Sequence, residues 1–374
     1  MIYYVPIEPL KERYTESWYR NIQAFFVKNA GTRVQRIEGA ALTNTIKVGT
    51  FLDVNSTVHY KMTQLQYIAS LFYGGFVKDG DWFFFGDIEF WGIESVRLMA
   101  QLNKVRIRIF GFLHAASYTW MDAFSVAEPY QKYTECGWIA ACDEVFVGSQ
   151  YHKLAIFSRR LQRYAKKDAH LLADKIHVTG NPMFKEDYKQ WSAKEVPKKR
   201  QIILPNRFDT EKGFGESLYF AQVLKHKDKT INIVVCSPHQ EIKANRQFNA
   251  DMVAKLAKDK VIDLRLGVWK EEYHRLLAES KVMWSMTQEE NFGYCVAEAC
   301  LYNCTPVIQN MFSHPELVHE HSACLWDSHD AIIPMTLSAL EMQDTFAVRE
   351  FTTRYFKSMD KIWDVMCRYA EEDW

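Results

Sequence analysis

The chain is poor in three things that would each define a class. It has no CxxC pair: the eight cysteines stand singly at 136, 142, 236, 295, 300, 304, 324 and 367. Disulfide frameworks belong to small secreted domains, not to a chain of 374 residues, so the cysteines read as free thiols in a reducing, cytoplasmic setting. Cys300 and Cys304 are one helical turn apart but have no second pair to complete a zinc site. No apolar run approaches the roughly 18 residues of a transmembrane helix, so no stable transmembrane contact is expected. The opening MIYYVPIEPL lacks a basic region and does not read as a signal peptide. Finally, neither charge is in excess: 46 Lys and Arg balance 46 Asp and Glu. A chain-wide basic footprint for nucleic acid is therefore absent, and only a local patch remains open.

What is present is organised as alternating strands and helices. The length exceeds one ordinary core and predicts two domains. IYYVPI reads as a first strand, and TESWYRNIQAFFVKNAG as a helix stopped by Gly31. GDWFFFGD, VRIRIFGFLHAAS, DEVFVG and KIHVTGNP follow as strands. KEDYKQWSAKEVPKKR is charged, carries Pro197 and reads as a linker. A second series then begins with QIILPNR and runs through INIVVCS, VIDLRLG, KVMWSM and TPVIQ. The division is residues 1–183, a linker at 184–200, a second domain at 201–345 and C-terminal helices at 346–374. The fold class is α/β with parallel sheets covered on both faces. Aromatics make up 14% of the chain, enough to fill a core and to line a groove that stacks planar ligands.

Two stretches carry chemistry. In QEENFGYCVAEACLYNCTPVIQN, Glu290 and Glu298 stand eight residues apart on either side of a glycine that precedes a helix. That spacing places both acids on roughly one side if the helix starts early, beside N–H groups that favour an anion. On spacing alone, a helix cap and an exposed acid is the commoner outcome. In ILPNRFDTEKGF, Arg207 and Lys212 follow a strand; a guanidinium fork and a compact ammonium suit two adjacent phosphates. Each alone would ordinarily be a solvated cation.

Together these stretches resemble the signature of retaining glycosyltransferases of the GT-B fold, especially glycosyltransferase family 4. Glu290, Phe292, Gly293, Glu298, Ala299, Pro306 and Val307 match its acid–x–Phe–Gly, second acid and Pro–Val pattern. Thr305 stands where a glycine is usual. The resemblance implies two Rossmann-like α/β/α domains facing across a cleft. It implies that Glu290, Asn291, Phe292 and Gly293 lie by the donor sugar, that Glu298 takes the ribose, and that Arg207 and Lys212 grip the diphosphate. The implied cofactor is a nucleotide-diphosphate sugar, UDP- or GDP-linked, with no metal strictly required; no Asp-x-Asp motif is seen. Glu290 would orient the sugar rather than act as a nucleophile, and RIFGFLHAAS places His114 where relatives keep a histidine facing the donor sugar. The nucleotide ring would pack near residues 237–239 and 268–269.

The first loop, PIEPLKERYTESW, lacks the family's Gly-Gly, which leaves Glu8, Arg13 and Tyr14 as acceptor candidates. SRRLQRYAKKDAH offers Arg159 and Arg163 as further candidates, on a helix that could contact lipid headgroups or nucleic-acid phosphates. The chain is also similar in size and aromatic content to bacteriophage enzymes that glycosylate hydroxymethyl-pyrimidines in DNA, which implies DNA as one acceptor and the host cytoplasm as the location. A glycan acceptor, a nucleotide-sugar epimerase and a non-catalytic nucleotide-sugar-binding protein are the alternatives.

Overall fold

Apolar runs too rich for a one-sided sheet become strands with both faces covered. A computed structural model describes residues 1–11, 13–43, 53–121, 123–191, 196–342 and 348–372. The chain forms two compact units, Met1–Phe184 with Lys357–Trp374, and Lys185–Phe356.

The first unit holds six parallel strands: β1 (Ile2–Val5), β2 (Val34–Arg36), β3 (Asp81–Phe85), β4 (Ile107–Phe112), β5 (Glu144–Val147) and β6 (Ile176–Val178), in the order β2-β1-β3-β4-β5-β6. Period-two alternation splits them between two cores. Tyr3, Val5, Phe83, Phe85 and Ile109 enter one. Ile2, Tyr4, Phe84, Phe110, Phe112 and Phe146 enter the other. The second core is closed by Trp18, Ile22 and Phe26, four residues apart on the Tyr14–Ala30 helix, and by Met359, Ile362 and Met366 of the Ser358–Glu372 helix. Gly31, at φ 66°, ends the first of these helices.

The helix Val54–Tyr73 was not anticipated. Its buried face mixes Tyr60, Ile68, Leu71 and Phe72 with Ser56, Thr57, Lys61 and Gln64, so no apolar stripe marks it. Lys61 is buried because its ammonium reaches Asp87 Oδ2 at 2.8 Å.

The second unit holds β7 (Lys199–Leu204), β8 (Asn232–Cys236), β9 (Asp263–Arg265), β10 (Ser280–Ser285), β11 (Thr305–Gln309) and β12 (Leu325–Trp326), in the order β12-β11-β10-β7-β8-β9. All pairings are parallel. This is the doubly wound order whose direction reverses between β7 and β10. Within the span read as a linker, Lys185–Trp191 forms a 3-10 helix and β7 starts at Lys199, while 192–195 lie outside the described residues. The boundary read at 345–346 also lies outside them.

Candidate active site

In an open parallel sheet, ligands bind beyond the carboxyl ends of the strands where the winding reverses. Here that point lies between β7 and β10, and both candidate motifs leave from it. Asn206 Nδ2 donates to Ser285 Oγ at 3.2 Å and ties the two strand ends. Beyond them the loops run together: the Gln288 amide donates to the Glu211 carbonyl at 2.9 Å. Gly213 makes this approach possible. Its φ is +58°, and a Cβ there would lie 1.8 Å from the Met286 carbonyl oxygen.

The approach brings Lys212 to Glu290, with Nζ and Oε2 3.1 Å apart. Burial works against the Lys212 ammonium, but Glu290 and Glu211 outweigh it and raise its pKa. Burial also favours the neutral acid at Glu290; Lys212, His314 and the Phe292 amide outweigh it and hold the carboxyl below its ordinary range. Both groups are therefore charged at neutral pH. Arg207 turns to neighbours in its own loop, Asp209 at 3.1 Å and Glu211 in closer contact. It does not pair with Glu290 but is near enough to Lys212 to repel its charge.

Glu290 precedes the helix. The helix is Tyr294–Leu301, with Gly293 at φ 93° as its N-cap, so Glu298 is its fifth residue. The two acids thus do not share a helix face, and they make different contacts. Glu298 accepts from Tyr188 Oη at 3.2 Å and Tyr273 Oη at 3.0 Å. Burial pushes its carboxyl above the ordinary range, against the pull of Lys270 and of the two phenols. Phe292 is buried edge-on against Tyr294 and Tyr355. Asn291 is buried beside it.

Three contributors were not legible in the sequence. Tyr188 and Tyr273 sit in charged segments where a tyrosine carries no special signal. Ser313 Oγ lies 3.0 Å from the carbonyls of both Glu290 and Phe292 and fixes their turn. Next to it His314 is fully buried; its Nδ1–H donates to the Gln309 carbonyl at 3.1 Å. The segments named for the nucleotide ring lie side by side: the Val268 amide donates to the Ser237 carbonyl at 2.9 Å, and the Gly267 amide to the His239 carbonyl at 2.7 Å.

In the first unit the carboxyl ends of the strands gather other polar groups. His114 follows β4, with Nε2 2.9 Å from the Gly86 carbonyl and Nδ1 3.3 Å from Tyr14 Oη. A carbonyl only accepts, so Nε2 carries the proton and Nδ1 accepts from Tyr14. Burial lowers the pKa of this imidazole and keeps it neutral. Glu8 is buried, its two oxygens taken by Ser56 Oγ at 3.1 Å and Thr57 Oγ1 at 2.6 Å. Arg13 is the N-cap residue of the Tyr14–Ala30 helix. Arg159 donates to the Tyr118 carbonyl at 3.0 Å, whereas Arg163 is exposed. Among the described residues, no group of three or more His, Cys, Asp or Glu is placed to hold a metal ion.

Two doubly wound parallel units in series, with a charged constellation at the second unit's winding reversal, define the GT-B glycosyltransferase fold. Residues 185–333 match the family model described as Glycosyl transferases group 1. The second unit thus carries a glycosyl transferases group 1 domain on that fold. The chain is 25% identical over 280 residues, 70% of each chain, to a 41.2 kDa protein of the cps region of Klebsiella pneumoniae. Its fold is similar to that of the lipopolysaccharide outer core galactosyltransferase WaaB, with TM-score 0.63, 12% identity and coverage of 96% of this chain and 98% of that one. A variant of S. aureus TarM in complex with Fondaparinux, alpha-GlcNAc-glycerol and UDP aligns with TM-score 0.55 and 14% identity, over 83% of this chain. The present chain spans 58% of the TarM chain.

Proposed function

We propose that the protein is a retaining glycosyltransferase of the family 4 type, which moves a sugar from UDP to a hydroxyl of a glycan. The observation that carries the reading is the Lys212–Glu290 pair at the winding reversal, with Arg207 beside it. In the donor complex Lys212 and Arg207 face the diphosphate and offset the charge that builds on it as the sugar leaves. Glu290 orients the sugar, and Glu298 takes the ribose hydroxyls. The bond between the anomeric carbon and the diphosphate oxygen breaks, and the acceptor oxygen bonds to that carbon on the same face. The acceptor proton passes to the departing diphosphate, and no protein nucleophile takes part.

The two cations supply the charge that a metal would otherwise bring, so no metal is strictly required. UDP in the TarM complex supports the choice of base. The cps region of the relative and the outer-core role named for WaaB support a glycan acceptor. A hydroxymethyl-pyrimidine acceptor in phage DNA draws no support from them.

A thermal-shift screen of UDP, GDP, ADP and CDP, with and without magnesium, tests the donor. A ligand that binds only the folded state raises the melting temperature. A response to UDP alone, independent of magnesium, supports the reading, and silence to all four contradicts it. Retention is read from the anomeric coupling of the product.

A further inference from the structure

A buried imidazole ordinarily satisfies both ring nitrogens, because an acceptor shut away from water without a donor opposes folding. His314 satisfies one. It is fully buried, and its Nδ1–H donates to the carbonyl of Gln309, the last residue of β11, at 3.1 Å. With the proton on Nδ1, Nε2 is left as a bare acceptor. Among the described residues it has no hydrogen-bond partner. Packing alone would be served by an apolar side chain, which leaves no such orphan.

The neighbouring serine holds this ring against the candidate site. The Ser313 amide and Oγ both reach the Glu290 carbonyl, at 3.3 and 3.0 Å, and Oγ also reaches the Phe292 carbonyl at 3.0 Å. Glu290 and His314 are close enough for the charge of each to act on the other. Glu290, from the loop after β10, draws a proton to the imidazole. Burial and Lys212, from the loop after β7, oppose it and hold the ring neutral, with its pKa lowered to about 4. Arg207 and Glu211 act on Lys212 in turn. Glu316 follows on the same short helix, its carbonyl taken by Arg354. Lys212 and Glu290 keep 21% and 25% of their side chains exposed, so a ligand reaches them directly. It reaches the buried His314 only through Glu290.

We infer that His314 is the reserve partner of Glu290: when Lys212 turns to a bound diphosphate, His314 Nε2 takes a proton from the solvent buffer, and the imidazolium balances the carboxylate that the lysine has left. One N–H bond forms at Nε2, and one bond to hydrogen breaks in the buffer acid, whose conjugate base keeps the electron pair. A carboxylate in a largely buried site is costly without a counter-charge. One ammonium cannot serve that carboxylate and two phosphates at once. Its departure also removes the repulsion that kept the ring neutral and leaves the attraction of Glu290 unopposed. His314 is thus a positioning residue, which keeps Glu290 ionised and in place while Ser313 fixes its backbone. The inference rests on the donor reading for the diphosphate, but its first test needs no donor.

That test is a histidine-selective NMR titration of the full chain, with the His314 resonance identified by its loss in His314→Gln. In the wild type it should titrate only near its value of about 4. Lys212→Ala should raise the midpoint by roughly 1–3 pH units, the scale of an opposite charge at close range. Adding Glu290→Gln should bring it back down. An unmoved midpoint in Lys212→Ala would overturn the inference, and so would a rise that survives Glu290→Gln. Calorimetry then adds UDP at about pH 6 in two buffers of different ionisation heat. The terminal phosphate of UDP titrates in this range too, so the reading is the difference between proteins. Wild type should take up roughly half a proton more than His314→Gln. Glu290→Gln, which leaves the imidazole in place, should match His314→Gln. Equal proton counts in all three would overturn the inference while sustaining the donor site. No heat of binding in the wild type would contradict the donor reading instead, and the NMR titration then decides whether His314 answers to Lys212.

Discussion

Tyr273 Oη donates to Glu298 Oε2 at 3.0 Å, while Tyr188 holds the other oxygen of the same carboxylate. Burial pushes this acid toward its neutral form, and the phenols pull it back. An ionised carboxylate has about four acceptor positions, so two remain for a ribose diol when both phenols are bound.

Removing the phenol donor should therefore weaken the nucleotide site without touching the nucleotide. Tyr273→Phe should lower UDP affinity roughly tenfold, the scale of one hydrogen bond to a buried charge. Wild-type affinity should fall as pH drops through the raised Glu298 pKa, and the midpoint should move to higher pH in Tyr273→Phe. Calorimetric titrations across pH check this. An unchanged midpoint would assign Tyr273 to packing alone.

Gly213 should tolerate no side chain. Gly213→Ala combines a left-handed backbone with a Cβ driven into the Met286 carbonyl. The expected cost is about 1–3 kcal/mol of stability, together with loss of nucleotide binding as the Lys212 loop is forced off β10. Chemical denaturation and the same titration measure both. Gly137→Ala, where a Cβ meets nothing within 4 Å, is the control.

Acid should destabilise both units through buried imidazoles. Burial lowers His152 to about 3, His274 to about 3 and His314 to about 4. These folded values lie below the ordinary 6.5, so between them the unfolded chain binds more protons. Their stabilisation is complete above pH 6.5 and is lost as pH falls toward 4 and then 3. Each imidazole costs about 1.4 kcal/mol per pH unit in that window. Melting temperatures between pH 7 and pH 5 should fall, and His314→Gln should flatten the slope.

The strands were legible because burial on both faces leaves a run such as Phe83–Phe85 or Ile202–Leu204 with nothing polar to confuse it. The helix Val54–Tyr73 was hidden because Lys61 and Gln64 are buried through specific partners, which no periodicity reveals. In the candidate site, Lys212 and Glu290 could be named from sequence, but their contact depends on Gly213 passing under Met286, a long-range packing event. The loop position of Glu290 was legible from the glycine that follows it, and Gly293, at φ 93°, starts the helix at Tyr294; the separate contacts of Glu290 and Glu298 were not legible. Tyr188 reaches Glu298 from 110 positions away, beyond the reach of any spacing rule.

In the proposed reaction Lys212 leaves Glu290 to hold the donor diphosphate. Calorimetric titration of UDP into wild type, Lys212→Ala and Glu290→Gln measures it. Wild type should bind. Lys212→Ala should lose roughly a hundredfold in affinity, the scale of a charge-assisted phosphate contact. Glu290→Gln should bind UDP at least as well as wild type, since its lysine is released, while transferring sugar more slowly. Equal UDP affinity in wild type and Lys212→Ala would contradict the assignment.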